Sequence, residues 1–158
     1  MKYTIEEHDT VKESFFNEYQ SWIDVHGYTD YFNDKNPRPY QKFMNRALKP
    51  YIKQFIQKWS GDTSDWHAQW WFAQYTDNDK HDWHIHPQAN FACVYMLQLP
   101  DSSFVTELLG NPFEGQNVQE GDLIIFPNTW PHRSPPRDSS ETKTIIAGNI
   151  VYKEVKIN

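Results

Sequence analysis

The stretch HDWHIHP, residues 81–87, holds three of the chain's seven histidines. In a β-strand, residues two apart project from the same face, with Cα atoms about 6 to 7 Å apart. The imidazoles of His84 and His86 can therefore converge on one ion at about 2 Å. The spacing predicts part of a metal site, and a polar loop edge is the structural alternative.

A second segment, EGDLIIFPNTWPH at 120–132, offers a third ligand. Gly121 is typical of a turn, and the apolar run that follows predicts a buried strand. Pro127 and Pro131 predict a rigid exit that holds His132 near the end of that strand. An ordinary surface histidine is the alternative for His132 alone, but the two segments together favour a three-histidine metal site.

Several neighbouring side chains leave the site's composition open. Asp82 shares strand parity with His84 and is the alternative second ligand. His81 has the opposite parity and is expected to be exposed or to lie outside the ligand set. Arg133 and Arg137 flank the third histidine, either as grips for an anionic substrate or as a solvated rim.

Two helices are expected before residue 60. Thr10 and Glu13 have capping-box spacing, and apolar residues at helical intervals predict a helix over 11–23. A loop over 24–38 precedes the strongest helical period, over 40–59. Pro50 interrupts that period and predicts a kink or a break into two helices near Lys49.

The rest of the chain predicts short antiparallel strands separated by turn clusters. The fold class is mainly β (α+β): a double-stranded β-helix, jelly-roll or cupin-like, with the N-terminal helices packed on one sheet. The chain is interpreted as one domain over 1–158, helical over 1–60 and with the β core over 61–158. The strands are expected at 66–75, 82–86, 90–99, 103–108, 116–119, 122–126, 131–134 and 142–155.

Composition excludes several classes of function. A net charge of −6 and an isoelectric point near 5.6 argue against general nucleic-acid binding. No apolar run reaches the 18 or so residues that a membrane span needs. Cys93 is the single cysteine, expected to be buried, and the N-terminus lacks an apolar signal core. We therefore predict a cytoplasmic protein without a membrane segment.

The segments HIHP, NFACVYMLQLP, EGDLIIFPNTWPH and KTIIAGNI together resemble the Fe(II)- and 2-oxoglutarate-dependent oxygenases, over about residues 66–152. The resemblance implies that His84, His86 and His132 are the catalytic metal ligands for Fe(II). It also implies that Lys143, eleven residues after His132, binds the distal carboxylate of the cosubstrate 2-oxoglutarate. The implied activity consumes O₂ and hydroxylates a small-molecule or peptide substrate.

Two departures from the family pattern keep alternatives open. The usual second ligand is Asp or Glu rather than His86, and the usual basic residue is Arg rather than Lys143. Three histidines also suit Zn, Ni or Cu, and a solvated strand-edge lysine is the alternative for Lys143. A three-histidine cupin dioxygenase without 2-oxoglutarate ranks second, and a non-catalytic β-sandwich binding module ranks third.

Overall fold

The computed structural model of the chain describes residues 1–33, 37–61, 65–114, 116–136 and 138–152. Two helices and eight strands make up the regular structure of these residues. They are β1 Lys2–Thr4, α1 His8–His26, α2 Gln41–Ser60, β2 Trp66–Tyr75, β3 His81–His84, β4 Phe91–Gln98, β5 Glu107–Leu108, β6 Asp122–Pro127, β7 His132–Ser134 and β8 Lys143–Tyr152. A single 3₁₀ turn spans Ser102–Phe104.

Helix α1 is longer at both ends than the sequence predicts. The expected capping box is wrong, because the helix begins at His8 after Glu7, and no side chain caps it. Thr10 therefore lies inside the first turn. The predicted apolar stripe is present, since every fourth residue from Val11 to Ile23 is buried. The expected loop over 24–38 begins only after His26, and its residues 34–36 lie outside the described parts.

Helix α2 is one continuous helix, so the predicted break into two helices near Lys49 is wrong, and the alternative, a kink, stays a prediction. Pro50 lies inside it and is exposed. A proline removes one helical hydrogen bond, but on an exposed side water can bind the carbonyl that loses its partner. The opposite face of the helix buries Met44, Leu48 and Ile52. Packing of this apolar face offsets the local loss.

The strands form two antiparallel sheets. The larger has five strands in the order β1-β6-β4-β8-β2, and the smaller has three in the order β3-β7-β5. Strand β1 was not predicted, and it pairs with β6 at the edge of the larger sheet. The strand predicted at 116–119 is wrong, since those residues form no strand. The one predicted at 103–108 is reduced to the 3₁₀ turn and the two-residue β5.

The core consists of two apolar layers on opposite faces of the five-stranded sheet. Side chains alternate between these faces along each strand. Trp70 and Phe72 of β2 pack against the helices, while Trp71 and Ala73 face the smaller sheet. The helices therefore cover one face of the larger sheet, as predicted, and leave the other face free to form a sandwich.

Gly148 marks the tightest packing inside the larger sheet. A Cβ at this position would lie 2.5 Å from a ring carbon of Trp70 and 3.0 Å from the sulfur of Cys93. The Cys93 thiol is fully buried in β4, as predicted, and burial raises its pKa. Within the described parts of the chain, no helix has the length and apolar character needed to cross a membrane.

Candidate metal centre

Two of the three predicted ligands lie opposite each other in the smaller sheet. His84 ends β3, His132 begins β7, and the two residues are register partners. Their ring centroids are 4.1 Å apart. His132 is 3% exposed, because its ring packs edge-on against Phe126 on the larger sheet. Both imidazoles therefore lie between the two sheets.

His86 reaches the same place from a turn. The predicted strand over 82–86 ends at His84, so strand alternation alone does not align the two side chains. The His86 backbone N–H instead donates to the carbonyl of Asn128 at 2.9 Å. Its ring centroid lies 5.3 Å from that of His84 and 4.8 Å from that of His132. One ligand atom of each histidine lies within 4.8 Å of the other two.

Each of these imidazoles uses Nδ1 in a hydrogen bond to an oxygen. His84 Nδ1 lies 2.8 Å from the Asp82 carbonyl, and His132 Nδ1 lies 3.1 Å from the Trp130 carbonyl. His86 Nδ1 lies 2.7 Å from Oδ1 of Asn149. Because a carbonyl oxygen only accepts, Nδ1 carries the proton and Nε2 keeps its lone pair. This arrangement fixes the tautomer and orients Nε2 for a metal.

Burial favours the uncharged form of two of the three imidazoles. Burial, the largest cause, and the neighbouring His84 together lower the pKa of His132 from 6.5 to about 3. Burial also lowers the pKa of His86, although the hydrogen bond that its Nδ1 donates to Asn149 acts to raise it. Neutral imidazole is the form that binds metal. His132 therefore stays in the ligating form well below neutral pH, and burial favours the same form of His86.

A fourth histidine packs against the centre. The ring of His81 stacks on His84 with centroids 3.9 Å apart and an interplanar angle of 12°. A register irregularity between these residues in β3 breaks the simple alternation that predicted opposite faces. Partial burial and the adjacent His84 lower the pKa of His81 to about 4. His81 thus supports a predicted ligand from outside the three-histidine group.

Asp82, the alternative second ligand, points away from the group. Its carboxylate is 80% exposed and forms an ion pair with Lys80 at 3.1 Å. Only its backbone carbonyl reaches the site, as the acceptor for His84. The structure therefore brings His86 to the other two histidines and leaves the Asp82 carboxylate in solvent.

Lys143 is buried beside the cavity that contains the histidines. It begins β8 and is 2% exposed, so it is not a solvated edge lysine. Its ammonium donates to Ser134 Oγ at 2.8 Å and lies 5.1 Å from the centre of the Tyr75 ring. Ser134 and Tyr75 both line the cavity. Lys143 therefore lies directly behind the cavity wall.

The cavity has a volume of about 530 Å³ and opens between the edges of the two sheets. Its inner wall includes Ile145, Ala147 and Asn149, which alternate along one face of β8. Thr106, also in the wall, is 7% exposed, and its hydroxyl has no hydrogen-bond partner among the described residues. A buried hydroxyl without a partner is unfavourable unless a ligand or water satisfies it.

Of the two arginines predicted to flank the third histidine, the structure describes Arg133 alone. The Arg133 side chain forms an ion pair with Glu107 at 2.8 Å and stacks over Trp83 at 4.7 Å. Because neighbouring strand residues project to opposite faces, this guanidinium lies on the side of β7 away from His132. It is already engaged outside the histidine centre. Arg137 lies outside the described residues.

Sequence reasoning missed three contributors to the site. Asn149 lies in KTIIAGNI, a segment identified as a strand without a role for its asparagine. Thr106 lies in a predicted strand that does not form as expected. The aromatic residues of 28–32 fall in the predicted loop, where periodicity carries no signal.

No protein-family model and no curated protein sequence matches the chain. Solved structures do match. The viral collagen prolyl hydroxylase of Paramecium bursaria Chlorella virus-1, solved with 2OG, aligns over 98% of this chain and 96% of its own, with a TM-score of 0.67 and 12% identity. A Pseudomonas putida prolyl-4-hydroxylase aligns over 98% and 92%, with a TM-score of 0.59 and 13% identity.

An oxidoreductase of the 2OG-Fe(II) oxygenase family from Burkholderia pseudomallei aligns over 74% of this chain and 58% of its own, with a TM-score of 0.54 and 12% identity. The chain has the fold of these oxygenases. At such low identity the likeness extends to the arrangement of helices and sheets. The chemistry has to be argued from the residues in the cavity.

Proposed function

We propose that the chain is an Fe(II)- and 2-oxoglutarate-dependent oxygenase built on a double-stranded β-helix. One observation carries the proposal. His84, His86 and His132 meet in a cavity, and each has its Nδ1 bonded to an oxygen so that Nε2 is left for a metal. The shared fold with 2OG-Fe(II) oxygenases supports the choice of chemistry.

The donor set fits a divalent transition metal. Nitrogens bound to one ion at about 2.1 Å stand about 3 to 3.5 Å apart. The observed spread of up to 4.8 Å is close enough for small ring rotations to complete the site. Imidazole suits Fe, Zn, Ni and Cu, so the ligands alone do not select iron. Fe(II) is proposed because of the fold and the cavity.

When bound at these histidines, Fe(II) and 2-oxoglutarate would use O₂ to oxidise the keto acid to succinate and CO₂, with one oxygen atom entering succinate and the other entering a C–H bond of the substrate. The chain's own residues bind, orient and exclude water. The histidine nitrogens hold their orientation through the Nδ1 bonds. Val94, Ile145 and Ala147 make the adjacent wall apolar, which keeps bulk water from the reacting groups.

The end of the cavity next to Lys143 is proposed to bind the distal carboxylate of 2-oxoglutarate. The Lys143 ammonium is buried, and the Ser134 hydroxyl that it contacts faces the cavity. The Thr106 hydroxyl, which has no partner among the described residues, lies in the same wall. Glu107 is the register partner of Arg133 in the antiparallel pair of β5 and β7, so the preceding residue, Thr106, lies beside Ser134. A cation and two hydroxyls are suitable partners for a carboxylate.

A three-histidine dioxygenase that needs no keto acid is the second candidate. The observation that favours it is the ligand set itself, because His86 stands where the oxygenases carry a carboxylate and Asp82 is solvated. This enzyme would not use Lys143. Binding of 2-oxoglutarate therefore separates the two candidates.

The deciding experiment is a calorimetric titration of 2-oxoglutarate into anaerobic protein loaded with Fe(II) or Mn(II). A succinate assay in air with Fe(II) follows. We expect saturable, metal-dependent binding and slow succinate formation even without a primary substrate. If the metal binds and 2-oxoglutarate does not, the oxygenase proposal fails and the second candidate takes its place.

Variants of Lys143 locate the carboxylate. Lys143→Met keeps most of the apolar stem and removes the charge, so it should weaken 2-oxoglutarate binding by about 1.5 to 3 kcal/mol. Lys143→Arg should keep part of the binding if the pocket admits the larger group. Metal affinity should not change in either variant. Lys80→Ala, which removes an exposed lysine near the cavity, is the matched control.

A further inference from the structure

One wall of the cavity, beside the histidines, is an aromatic surface. We name it the aromatic shelf, and it consists of Tyr28, Tyr31, Phe32 and Trp71. The Tyr31 ring packs edge-on against both Phe32 and Trp71, with centroids 5.0 Å apart in each pair. Tyr28 closes one end through a hydrogen bond from its hydroxyl to the Lys80 carbonyl at 2.9 Å. Trp71 also packs against His86, with ring centroids 5.5 Å apart, so the shelf adjoins the metal centre.

The shelf is held in place from behind by a buried carboxylate. Asp30 is 1% exposed and lies within the shelf's own chain segment. It accepts hydrogen bonds from Trp22 Nε1 at 2.8 Å, from the Tyr40 hydroxyl at 2.5 Å and from the Phe72 backbone N–H at 3.2 Å. Burial of a carboxylate is strongly unfavourable without such partners. These hydrogen bonds therefore hold the segment in a fixed position.

The shelf also continues the larger sheet at its β2 edge. Thr29 forms a bridge to Ala73, and its hydroxyl donates to the Phe72 carbonyl at 2.6 Å. The Gln74 backbone N–H donates to the Tyr28 carbonyl at 2.8 Å. These bonds fix the position of the shelf's chain segment relative to β2.

The outer part of the shelf is exposed to solvent. Phe32 is 83% exposed and Tyr31 is 47% exposed, although both line the cavity mouth. Apolar surface of this kind next to a concave site is typical of a place that a ligand covers. Two aromatic side chains held by a buried anchor, yet left in water, indicate that the rings contribute to binding.

Lys143 lies behind the cavity wall and is assigned to 2-oxoglutarate, so the primary substrate has to find any counter-charge among the lining residues. Among the described residues that line the cavity, Arg133 is the one lysine, arginine, aspartate or glutamate, and its guanidinium is paired with Glu107 and lies over Trp83. An ion entering this half of the cavity would lose water without gaining a partner. A neutral group would lose little.

We propose that the primary substrate places an uncharged, ring-bearing group against the aromatic shelf, next to the histidines. This inference rests on the proposed function, because it names the substrate class of the same cavity. Ring stacking on the shelf would hold the group, and the missing counter-charge would exclude acidic and basic analogues. The ring can belong to a free small molecule or to a side chain of a peptide.

The test compares probes that share one ring. They are acetyl-phenylalanine-amide and its 4-carbamoyl, 4-carboxy and 4-aminomethyl derivatives. Saturation-transfer NMR and calorimetry measure their binding to Zn(II)-loaded protein with and without 2-oxoglutarate. We expect the two neutral probes to bind at least about tenfold more tightly than the two charged probes. Equal or tighter binding of a charged probe, or no binding of either neutral probe, overturns the inference.

Variants assign the contact to the shelf. Phe32→Ala removes an exposed ring and should weaken the neutral probes by about threefold to tenfold. Val25→Ala, at an 81% exposed position on α1, is the control and should leave binding unchanged. Unchanged binding in Phe32→Ala contradicts the proposed contact.

A last comparison separates the two sources of the ring. A pentapeptide with phenylalanine between glycines should bind at least about tenfold more tightly than the single blocked residue if the source is a peptide. Equal affinities support a free small molecule. The 2-oxoglutarate titration is carried out on the same samples, so a failed keto-acid titration with intact ring preference refutes the proposed function and not the shelf.

Discussion

The two sheets of the molecule differ in size, burial and content. The larger sheet contains the ten-residue strands β2 and β8, which pair with each other, and next to β8 the strand β4, which is buried along nearly its whole length. The smaller sheet has strands of only four, three and two residues, and β3 is mostly exposed. Yet the smaller sheet carries His84 and His132.

This difference shows how the fold separates stability from chemistry. Long strands with two covered faces supply most of the apolar burial that holds the chain together. Short strands supply few ladder hydrogen bonds, so the histidines on them depend on individual side-chain contacts. His86 is tied to the larger sheet by Asn149 of β8 and thus links the two regions.

The largest expected effect comes from damage to the larger sheet. Ile146→Ala in β8 empties a fully buried position and should lower the free energy of unfolding by about 2 to 5 kcal/mol. Denaturant unfolding measures the change, and Val151→Ala, at a half-buried position of the same strand, is the control. Metal affinity of the folded variant should stay unchanged. If the variant lost metal binding and kept its stability, the assignment of stability to the larger sheet and of the metal site to the smaller sheet would be wrong.

The smaller sheet should instead govern how stability depends on pH. The pKa of His132 is about 3 in the folded chain and ordinarily 6.5. Between these values the unfolded chain binds a proton that the folded chain excludes, so stability is present above pH 6.5 and falls as the pH drops toward 3.

His132→Gln removes that penalty. Between pH 7 and pH 5, the metal-free variant should lose about 2 kcal/mol less unfolding free energy than the wild type. Denaturant unfolding at the two pH values measures the difference. Parallel pH profiles would show that the folded chain accommodates the charged imidazole.

Metal binding should depend on the three histidines and not on histidines elsewhere. Replacing His84, His86 or His132 with alanine should weaken Mn(II) binding at least about tenfold, or 1.4 kcal/mol. Calorimetry measures the affinity, and His67→Ala on the exposed side of β2 is the control. Wild-type affinity in all three variants would refute the site.

The smallest expected effect comes from the removal of a single hydroxyl, and it compares a cavity residue with a residue of the larger sheet. Thr106→Val should weaken 2-oxoglutarate binding by about 1 kcal/mol and leave stability equal or higher, because the hydroxyl has no partner within the parts of the chain that the structure describes. Thr144→Val is the contrast, since its buried hydroxyl bonds to Gln98 and Gln74. That variant should lose stability. The opposite outcome would make Thr106 structural and Thr144 dispensable.

The sequence predicted what depends on local period. Strand β2 was expected at its observed bounds, and the approach of His84 to His132 was expected from the predicted convergence of His84, His86 and His132. Their role as metal ligands stays a prediction. The three residues of β1 are too few to show a period, and β1 forms because β6 presents an edge for it.

Other features depend on contacts between distant residues. His81 reaches the centre through an irregularity in β3 that no alternation rule contains. The shelf lies in a segment whose composition predicts a loop, and only the partners of Asp30, from α1 to β2, give it a fixed form. The break predicted from Pro50 does not occur, because local helix propensity does not include the packing of the opposite face of the helix.

The contact between Gly148 and Cys93 gives the protein an internal reporter. The chain has one thiol, and it lies under Gly148 at the centre of the larger sheet. Cys93 lies in the core layer beneath the helices, so a thiol reagent can label it only when the helices leave the larger sheet or the sheet itself opens, and the labelling rate in the native protein measures the frequency of these openings. Metal or keto acid that stabilises the folded chain will slow the labelling, and binding can be followed through the native thiol without turnover.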